Sequence, residues 1–389
     1  MKIIFLNHHE DFQSFSMVRY ASFLNEGMRH RGHNTEIWAP KPFLSNNNLP
    51  EGIKKWLRYL DSFVLFPLRF KIQSRKLPKD TLYVLIDQAL GMWMPLLRNK
   101  KHVVHCHDFI ALKSALGQIK ENPTSGTGKT YQRLILKGFS KADNFICISE
   151  NTHSELLRFL DKDPIRVEQV YNALDPAFKP GNIEEARRLV GNFVKQDLKE
   201  GYILNVGGNG FYKNRIGVIA IYTAWRKQTQ SSLPLLMIGY RPSASIQAHF
   251  EASPYKKDIH FLVQVSQELL LKGYQGASVF VFPSLAEGFG WPIAEALAAG
   301  CPTITTDAAP MNEVGGKAAT YIERCPSYGE IPIWAAESAK VLEATLQMGT
   351  KERAVMIQKG LDNALRFKED KILDRLEGIY NDIMADDFI

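Results

Sequence analysis

The chain has 389 residues, of which 45% are hydrophobic and 23% charged, and its formal net charge at pH 7 is +7. This length fits two domains of ordinary size, and no apolar run reaches the roughly 20 residues that a membrane span requires. We therefore expect a soluble, cytoplasmic protein whose positive charge favours anionic partners such as nucleotide phosphates or a lipid surface, and no motif indicates nucleic acid.

The first half of the chain alternates strand and helix patterns. The apolar run Lys2–Leu6 predicts a first strand, and apolar residues at helical spacing from Met17 to Met28 predict the helix that follows. Histidines and acids follow the first apolar run, where a secretory signal would have its small-residue cleavage site, so we expect no secretory signal. Further strands are predicted at 35–39, 82–86, 102–106 and 144–149, and helices near 130–140 and 151–160. This alternation indicates a parallel, doubly wound α/β sheet.

A turn-rich segment separates this half from a second alternating series. Asn-Ala-Leu-Asp-Pro and Lys-Pro-Gly lie within residues 172–181, so we place the first domain at 1–178 and the second at 179–367. The tail, 368–389, has an apolar helical face and is expected to pack on a domain, with the N-terminal one as the candidate. Strands of the second domain are predicted at 202–206, 235–238, 259–262, 278–282 and 303–306.

A glycine loop lies between a predicted buried strand and a predicted helix in LAEGFGWPIAEALAAG, residues 285–300. Gly288 and Gly290 allow the backbone to approach a ligand, and Gly290 offers no side-chain oxygen to cap the helix amides. A helix tip of this kind favours anions. Glu295, in the first helical turns, could accept hydrogen bonds from a ribose diol, and Glu287 would lie at the other end of the same ligand. Both could instead be solvated carboxylates.

Histidines and acids that superficially suggest a metal site do not have suitable spacing. His102, His105 and His107 lie on one short predicted strand, where successive side chains alternate between faces, and further ligands are missing. Asp161-Lys162-Asp163 precedes a proline and fits a surface turn. The four cysteines are scattered without CxxC spacing, as is typical of reduced structural thiols. We expect no metal and no cofactor.

Several segments, in order, resemble retaining, nucleotide-sugar-dependent glycosyltransferases of family GT4. They are FPSLAEGFGWPIAEALAAGCPTI with NEVGGKAA downstream, Ser266-Gln267-Glu268-Leu269 before Tyr274, VYNALDPAFKP, HCHDFIAL, YQRLILKGFSKADNFICISENTHSELL and VGGNGFYKN. The resemblance covers nearly the whole chain. It implies the GT-B fold, in which two doubly wound Rossmann-like domains face each other across a cleft, with the donor mainly on the C-terminal domain and the acceptor on the N-terminal one.

The resemblance also implies roles for individual residues. Glu295 would contact the nucleotide ribose, Glu287 would lie near the transferred sugar, and Lys213 would hold the donor diphosphate. His107 would face the reaction centre from the acceptor side. Backbone amides of Gly288, Phe289 and Gly290 would hold sugar hydroxyls or phosphate, and the segment at Ser266 would lie near the base.

This chain departs from the family pattern at two places. Gly208 stands where many members have an arginine, so Arg215 or Asn209 is a candidate substitute for the missing phosphate contact. The first strand is followed by HHEDFQSFSMVRY where many members of the family have a glycine-rich loop, and Ser14 and Ser16 are candidate contacts there.

The predicted function is transfer of a hexose, of the mannose or glucose type, from a GDP- or UDP-sugar to a hydroxyl of a glycan or lipid-linked glycan with retention. Alternatives are a nucleotide-sugar epimerase of the same fold, a glycosidase using the two glutamates, and a non-catalytic nucleotide-sugar-binding scaffold.

One further stretch, KKWLRYLDSFVLF at residues 54–66, combines an apolar aromatic helical face with three cations. Such a face could lie in a membrane interface, on the inner leaflet, and bring the enzyme to a lipid-linked acceptor. Packing against its own domain is the alternative that we favour from the sequence.

Overall fold

The computed structural model describes residues 1–9, 15–45, 50–326 and 330–386. The chain divides into two compact units. The first unit comprises Met1–Tyr171 together with Asp370–Ile389, and the second comprises Asn172–Glu369. Each unit is a parallel sheet covered by helices, which is the doubly wound α/β architecture expected from the alternating pattern.

In the described residues of the first unit, the six strands of the sheet lie in the order β2-β1-β3-β4-β5-β6, and all neighbours are parallel. Strands β3, β4 and β5 are buried along their whole length because helices cover both faces, so their sequences are nearly continuous apolar runs. The strands are β1 Lys2–Leu6, β2 Asn34–Trp38, β3 Thr81–Leu85, β4 His102–Cys106, β5 Asn144–Cys147 and β6 Arg166–Gln169.

Helices of the first unit connect these strands. Ser125 and Ser149 cap two of them, because each hydroxyl accepts a hydrogen bond from a backbone amide of the first turn. The helices are α1 Phe15–His30, α2 Glu51–Leu60, α3 Phe66–Ser74, α4 Ile110–Ala115, α5 Gly126–Phe139 and α6 Glu150–Phe159, and Gln88–Leu96 forms a 3-10 helix.

A π-helical turn, Asp61–Leu65, joins α2 to α3 and makes them one long helical segment. A π turn leaves backbone groups without their usual helical partners. Here the indole nitrogen of Trp93 donates to the Ser62 carbonyl oxygen at 3.0 Å. The buried Asp61 carboxylate accepts from the backbone amides of Leu44 and Ser45, which fixes the preceding loop against this turn.

In the second unit, the six described strands lie in the order β12-β11-β10-β7-β8-β9 and are again parallel. The core on one face surrounds the fully buried Trp225, whose indole nitrogen donates to Glu343 at 2.6 Å. The strands are β7 Ile203–Gly207, β8 Leu235–Gly239, β9 Ile259–Val263, β10 Val279–Phe282, β11 Thr303–Thr306 and β12 Thr320–Ile322.

The helices of the second unit begin at well-defined caps in several cases. Asn182, Asn214, Ser243 and Ser266 each accept a hydrogen bond from an amide of the turn that follows. The helices are α7 Ile183–Val194, α8 Arg215–Gln228, α9 Ala244–Ala252, α10 Gln267–Gly276, α11 Trp291–Ala298, α12 Met311–Gly315, α13 Ile331–Leu346 and α14 Thr350–Ala364, with short 3-10 turns at Phe211–Lys213, Lys256–Asp258 and Leu365–Phe367.

The last helix, α15 (Glu369–Ala385), belongs to the first unit from Asp370 onward. It lies close to α1, since a β-carbon at Gly27 would come within 2.5 Å of Leu373. The buried His105 of β4 bonds Tyr20 of α1 at 2.7 Å and Tyr380 of α15 at 2.9 Å. Apolar contacts and this Tyr-His-Tyr bridge therefore hold the helix in place.

The division between the units lies between Tyr171 and Asn172, earlier than the boundary placed after residue 178 from the sequence. Residues 172–178 belong to the second unit because their contacts are made there. Leu174 pairs with Lys368, and the ring of Phe178 packs on Tyr274 at 5.9 Å.

All four cysteines are buried free thiols. No helix in the described part of the chain combines the length and apolar character needed to cross a lipid bilayer.

Candidate functional site

The strand order of the second unit reverses between β7 and β10, and ligands of open α/β sheets bind at the carboxyl ends of the strands beside such a reversal. The loop after β7 carries Asn209 and Lys213, and the loop after β10 carries Glu287 and the glycine segment. Parallel pairing of β7 with β10 puts both loops at one edge of the sheet.

Two hydrogen bonds join these loops. The Asn214 side chain donates to the Pro283 carbonyl at 3.0 Å, and the Leu285 amide donates to the Tyr212 carbonyl at 2.7 Å. Asn214 also caps α8, and its backbone has the left-handed conformation, with φ of 47°, which asparagine adopts more readily than most residues. The loop conformations are thus coupled.

The coupling brings Lys213 and Glu287 into direct contact. Lys213 Nζ lies 2.8 and 2.9 Å from the two carboxylate oxygens of Glu287, and both side chains are largely buried. The Ser284 hydroxyl donates to Glu287 at 2.8 Å, and the ring of Phe282 lies beneath the ammonium, 5.1 Å from it. A lysine ammonium has three N–H groups, and the carboxylate accepts from two of them.

The glycine segment leads from Glu287 into α11. Phe289 is buried and anchors the segment by packing edge-to-face on Phe367 at 5.3 Å. Gly290 is the residue before the helix and has a φ of 105°, which glycine adopts without strain, and it provides no side-chain cap. The Trp291 indole donates to the Ala173 carbonyl at 3.1 Å, which fixes the start of the helix. Gly288 lies between Glu287 and this anchor.

Glu295 lies on the buried side of α11. Its carboxylate accepts a hydrogen bond from the Tyr274 hydroxyl at 3.1 Å, and only 5% of the residue is exposed. Tyr274 itself is fully buried on α10. A carboxylate held in this way keeps one fixed orientation.

Gly208 and Arg215 lie at the same edge of the sheet. A β-carbon at Gly208 would come within 3.1 Å of the Tyr240 ring, so Tyr240 occupies the space beside this glycine. Arg215 is 2% exposed and donates to Asn209 Oδ1 at 2.6 Å and to the Tyr240 carbonyl at 2.9 Å. Burial lowers the pKa of Arg215 to about 10, so the guanidinium remains charged at pH 7.

These contacts make Arg215 a residue that holds the Asn209 loop. Its Nε and Nη2 atoms have no hydrogen-bond partner among the described residues. Because both atoms are buried, they cannot contact a ligand in this conformation. The Asn209 amide nitrogen donates to the Arg241 carbonyl at 2.7 Å, and Asn209 is therefore fixed at both ends of its side chain.

Ser266 lies at a different part of the edge. Its hydroxyl caps α10 by accepting from the Leu269 amide at 3.1 Å, and the residue is exposed. It follows β9, which is separated from β7 by β8, so it lies roughly 10 Å along the sheet from the Lys213 loop, given the usual spacing between strands.

The first unit has its own reversal of strand order, between β1 and β3. His8 follows β1, Asp87 follows β3, and His8 Nε2 lies 2.8 Å from Asp87 Oδ2. Burial alone would raise the pKa of Asp87, but the hydrogen bond and charge of His8 bring it below its usual value. A cavity of about 240 Å³ opens here, lined by His8, His9, Met17, Ser62, Phe63, Asp87, Ala89, Leu90, Trp93 and Tyr131. Residues 10–14, including Ser14, lie outside those described.

His107 lies next to this cavity, at the carboxyl end of β4. It is buried, its ring nitrogen Nε2 bonds the Ile86 carbonyl at 2.8 Å, and its amide donates to the Gln88 side chain. Burial lowers the pKa of His107, and the nearby Asp87 carboxylate only partly offsets this effect. The imidazole is therefore neutral at pH 7, with its proton on Nε2 and a lone pair on Nδ1.

Among the site residues that sequence reasoning missed are Asn214, Asp87, and Tyr274 as a partner of Glu295. Asn214 could have been noticed as a cap residue directly after Lys213. Asp87 directly follows the predicted strand 82–86, so the rule that ligands bind at strand carboxyl ends also identifies it. Nothing in the sequence pairs Tyr274 with Glu295, because their contact depends on how α10 packs beside α11.

With the fold and site described, the class of protein is clear: two Rossmann-like units, each with polar side chains at its reversal of strand order, form the GT-B type of α/β protein. The family model described as Glycosyltransferase Family 4 matches residues 17–178, and the model described as Glycosyl transferases group 1 matches residues 192–331. The chain therefore belongs to the GT4 glycosyltransferase family.

Individual relatives agree with this assignment. The O-antigen chain mannosyltransferase RfbU of Salmonella typhimurium is 26% identical over 59% of this chain and 58% of its own length. The chain spans about half the length of the curated relatives it matches. Among solved structures, sucrose-phosphate synthase from Thermosynechococcus elongatus superposes with a TM-score of 0.74 at 16% identity and 99% coverage of both chains. Anabaena HepE in complex with UDP-glucose has a TM-score of 0.72 at 13% identity, over 98% of this chain and 100% of that one.

Proposed function

We propose that this chain transfers a hexose of the mannose or glucose type from a nucleoside-diphosphate sugar to a hydroxyl group of a glycan or lipid-linked glycan, with retention of anomeric configuration. Family membership and the mannosyltransferase named among its relatives support glycosyl transfer. The observation that carries the proposal is the Lys213–Glu287 pair at the strand-order reversal of the second unit.

In the proposed reaction, the bond between the anomeric carbon and the leaving phosphate oxygen breaks, and a bond from the acceptor oxygen to the same carbon forms on the same face. The acceptor proton passes to the departing phosphate, so the products are the glycoside and the nucleoside diphosphate. Negative charge grows on the diphosphate in the transition state. A fixed cation beside it lowers the barrier because charge development is where electrostatic stabilisation acts.

Each site residue of the second unit has a role in this scheme. Lys213 directs its remaining N–H to the diphosphate, while Glu287 holds the ammonium in place and contacts the sugar. The backbone of Gly288, Phe289 and Gly290 approaches the sugar or phosphate. Glu295, oriented by Tyr274, accepts hydrogen bonds from the ribose hydroxyls. In this scheme Ser266 lies toward the base, and Asn209 and Arg215 shape the loop beside the phosphates.

The cavity of the first unit is the acceptor site in this proposal. Aromatic rings of Trp93, Phe63 and Tyr131 offer apolar surface for a sugar ring, and the His8–Asp87 pair offers hydrogen-bonding groups beside it. His107, buried at the carboxyl end of β4, has a neutral imidazole whose Nδ1 can accept a hydrogen bond from a hydroxyl group.

The proposed mechanism uses no metal, because Lys213 provides the positive charge that a divalent cation would otherwise bring to the diphosphate. We predict that incubation with EDTA followed by desalting leaves the turnover rate unchanged, as measured by nucleoside diphosphate release. Loss of turnover with recovery on adding Mg²⁺ or Mn²⁺ would show that the mechanism is wrong on this point.

The central experiment measures thermal stabilisation by a panel of UDP- and GDP-hexoses, followed by nucleotide release with and without glycan acceptors. Lys213→Met is expected to lower the rate of transfer by about 10²- to 10³-fold, the usual cost of removing one transition-state charge contact. Lys257→Met, at an exposed lysine of the same unit, is the matched control and should leave the rate unchanged.

The same panel separates the alternatives. Conversion of the donor sugar without acceptor would indicate an epimerase, and stabilisation without turnover under every condition would indicate a binding scaffold. Hydrolysis of a glycoside without any nucleotide would indicate a glycosidase. Equal rates for Lys213→Met and the wild type would contradict the proposed site.

A further inference from the structure

The segment from α2 through the π turn to α3 exposes a continuous row of large apolar side chains. Trp56 is 70% exposed, Leu68 is 56% exposed and Ile72 is 61% exposed. We call this row the apolar stripe. Its members are Ile53, Trp56, Leu60, Val64, Leu68 and Ile72, and it extends over roughly 30 Å at the rise of 1.5 Å per helical residue. From the sequence we favoured packing of the 54–66 stretch against its own domain. In the structure Trp56, Leu60 and Val64 of that stretch are exposed, whereas Leu57 and Phe63 are half-buried.

The π turn is what keeps the stripe on one side. In an α-helix, a repeat of four residues drifts by roughly 40° per step, so Ile72 would lie about 160° around the axis from Trp56. The π turn at Asp61–Leu65 absorbs one extra residue, which removes roughly 100° of that drift. The opposite side of the same segment, at Phe66 and Phe70, is buried in the first unit.

The charge around the stripe is strongly positive. Residues 50–76 include Lys54, Lys55, Arg58, Arg69, Lys71, Arg75 and Lys76, whereas the acids in the same range are Glu51 and Asp61. Asp61 is 1% exposed and bonds the loop at Leu44 and Ser45, so it does not offset this charge at the surface. Exposed cations adjoin the stripe in the sequence, with Lys55 next to Trp56, Arg69 next to Leu68 and Lys71 next to Ile72. Two more, Arg75 and Lys76, follow its C-terminal end.

We propose that the apolar stripe and its cations form a surface that binds anionic lipid membranes, with the helical segment lying in the plane of the interface. A straight row of apolar side chains bordered by Lys and Arg has the chemistry of an interfacial helix, which inserts its apolar face among acyl chains and its cations among anionic headgroups. An anionic membrane offers acyl chains to the apolar side chains and negatively charged headgroups to the cations.

The same segment connects this surface to the cavity of the first unit. Ser62 and Phe63 line the cavity, while the next residue, Val64, belongs to the stripe. A membrane bound to the stripe therefore lies beside the cavity, and the acceptor that suits this arrangement has a lipid anchor and a sugar headgroup. This last step rests on the proposed function, whereas membrane binding does not.

The test is flotation of the protein with vesicles of 30% phosphatidylglycerol and 70% phosphatidylcholine, compared with vesicles of phosphatidylcholine alone. The wild type is expected to float with the anionic vesicles and to be released by high salt. Replacing Trp56, Val64, Leu68 and Ile72 by serine should lower the partition coefficient by roughly tenfold or more, because four apolar side chains that would insert into the bilayer are lost. The matched control replaces Ile183, Phe193, Ile333 and Val355, which are similarly exposed in the second unit, by serine.

Absence of flotation at low salt, or equal loss in the stripe and control variants, would overturn the proposal. The proposal would also be overturned if the wild type and the control variant self-associated with rising concentration and the stripe variant did not, because the stripe would then bind a second copy of the chain. Circular dichroism melting establishes that both variants fold. Thermal stabilisation by nucleotide sugar, measured without vesicles, tests the proposed function separately. A protein that fails to bind membranes can therefore be distinguished from one that fails to bind the donor.

Discussion

Each unit has a hydrogen-bonded pair of ionisable side chains at its reversal of strand order, Lys213–Glu287 in the second and His8–Asp87 in the first. Lys213 and Glu287 are largely buried, so each depends on the other to offset the loss of hydration. The carboxylate is also held by Ser284, which leaves the geometry of the ammonium fixed before any ligand binds. Preorganisation of this kind is what electrostatic catalysis needs.

The mutual dependence of Lys213 and Glu287 leads to a prediction about stability. Lys213→Met leaves a buried carboxylate without its cation, and we expect this to lower the free energy of unfolding by about 3 kcal/mol. The double variant Lys213→Met with Glu287→Gln should lose less than the sum of the two single variants, because no uncompensated charge remains. Denaturant unfolding of the four proteins measures this coupling. Additive losses would contradict it.

The Tyr20–His105–Tyr380 bridge predicts a dependence on pH. Burial lowers the pKa of His105 to about 3, against an ordinary value near 6.5. Above about pH 6.5 the His105 side chain is neutral in both the folded and the unfolded state, so it adds nothing to the pH dependence of stability. Between about pH 6.5 and 3 the unfolded chain binds a proton that the folded chain does not, so stability falls by about 1.4 kcal/mol per pH unit as pH decreases.

His105→Gln removes that titration while keeping groups that can bond both tyrosines. We expect a shallower loss of thermal stability between pH 6.5 and 4 in this variant than in the wild type. His249→Gln, at an exposed position, is the control and should leave the acid slope as it is. An unchanged slope in His105→Gln would show that this histidine does not govern acid sensitivity.

The sequence indicates Lys213, Glu287, Glu295 and His107 as candidate site residues because each adjoins a recognisable strand or glycine motif. The Lys213–Glu287 contact could not, since 74 positions separate the two residues and the pairing depends on the register of β7 against β10. The burial of Arg215 was also hidden, because an arginine after a loop lysine resembles a solvated residue until Asn209 and Tyr240 are placed around it.

At the scale of elements, strands were predictable where a parallel sheet buries both faces, as at His102–Cys106 and Thr303–Thr306, whose bounds agree with those predicted. Shorter or irregular elements were missed. β12 has three residues, too few for a pattern, and the π turn at Asp61–Leu65 depends on contacts with Trp93 and the 44–45 loop that lie elsewhere in the chain.

The junction between the β7 and β10 loops predicts a difference between two substitutions at Asn214. Alanine loses the cap and the bond to Pro283 and is strained at a φ of 47°, whereas glycine loses the same bonds without strain. We expect Asn214→Ala to be less stable than Asn214→Gly by about 1 kcal/mol.

The matched comparison for Asn214 is Asn182, which caps α7 with an ordinary φ of −73°. There alanine and glycine should differ only by their capping preference, with no contribution from positive φ. Chemical unfolding of the four variants distinguishes the cases. If Asn214→Gly were less stable than Asn214→Ala, backbone strain at residue 214 would not be the cause of the difference.

For the whole molecule, the C-terminal helix makes the first unit discontinuous in sequence, while the second unit is one continuous stretch. The apolar periodicity of the tail predicted the helix, but only the structure gives its close contact with α1 at Gly27 and the bridge through His105. Ion pairs from Arg31 to Asp374 and from Arg375 to Glu168 border the same interface.

Removal of residues 369–389 is therefore expected to unfold the first unit and to spare the second. Six buried side chains of α15 are lost, each worth about 1.5–3 kcal/mol, and together they rival the whole stability of a typical domain, about 5–15 kcal/mol. Two thermal transitions measured with and without nucleotide sugar would test this. A truncated chain that keeps both transitions would contradict it.

The return of α15 to the first unit reverses the usual order of events during translation, in which the N-terminal domain folds first. The ribosome releases every residue of the second unit before it releases the side chains that close the first. We therefore expect the nascent N-terminal half to stay unfinished, with the face of α1 that α15 covers still open, until about two hundred further residues have emerged. An mRNA truncated near its end would yield a chain whose later-made half is complete and whose earlier-made half is not.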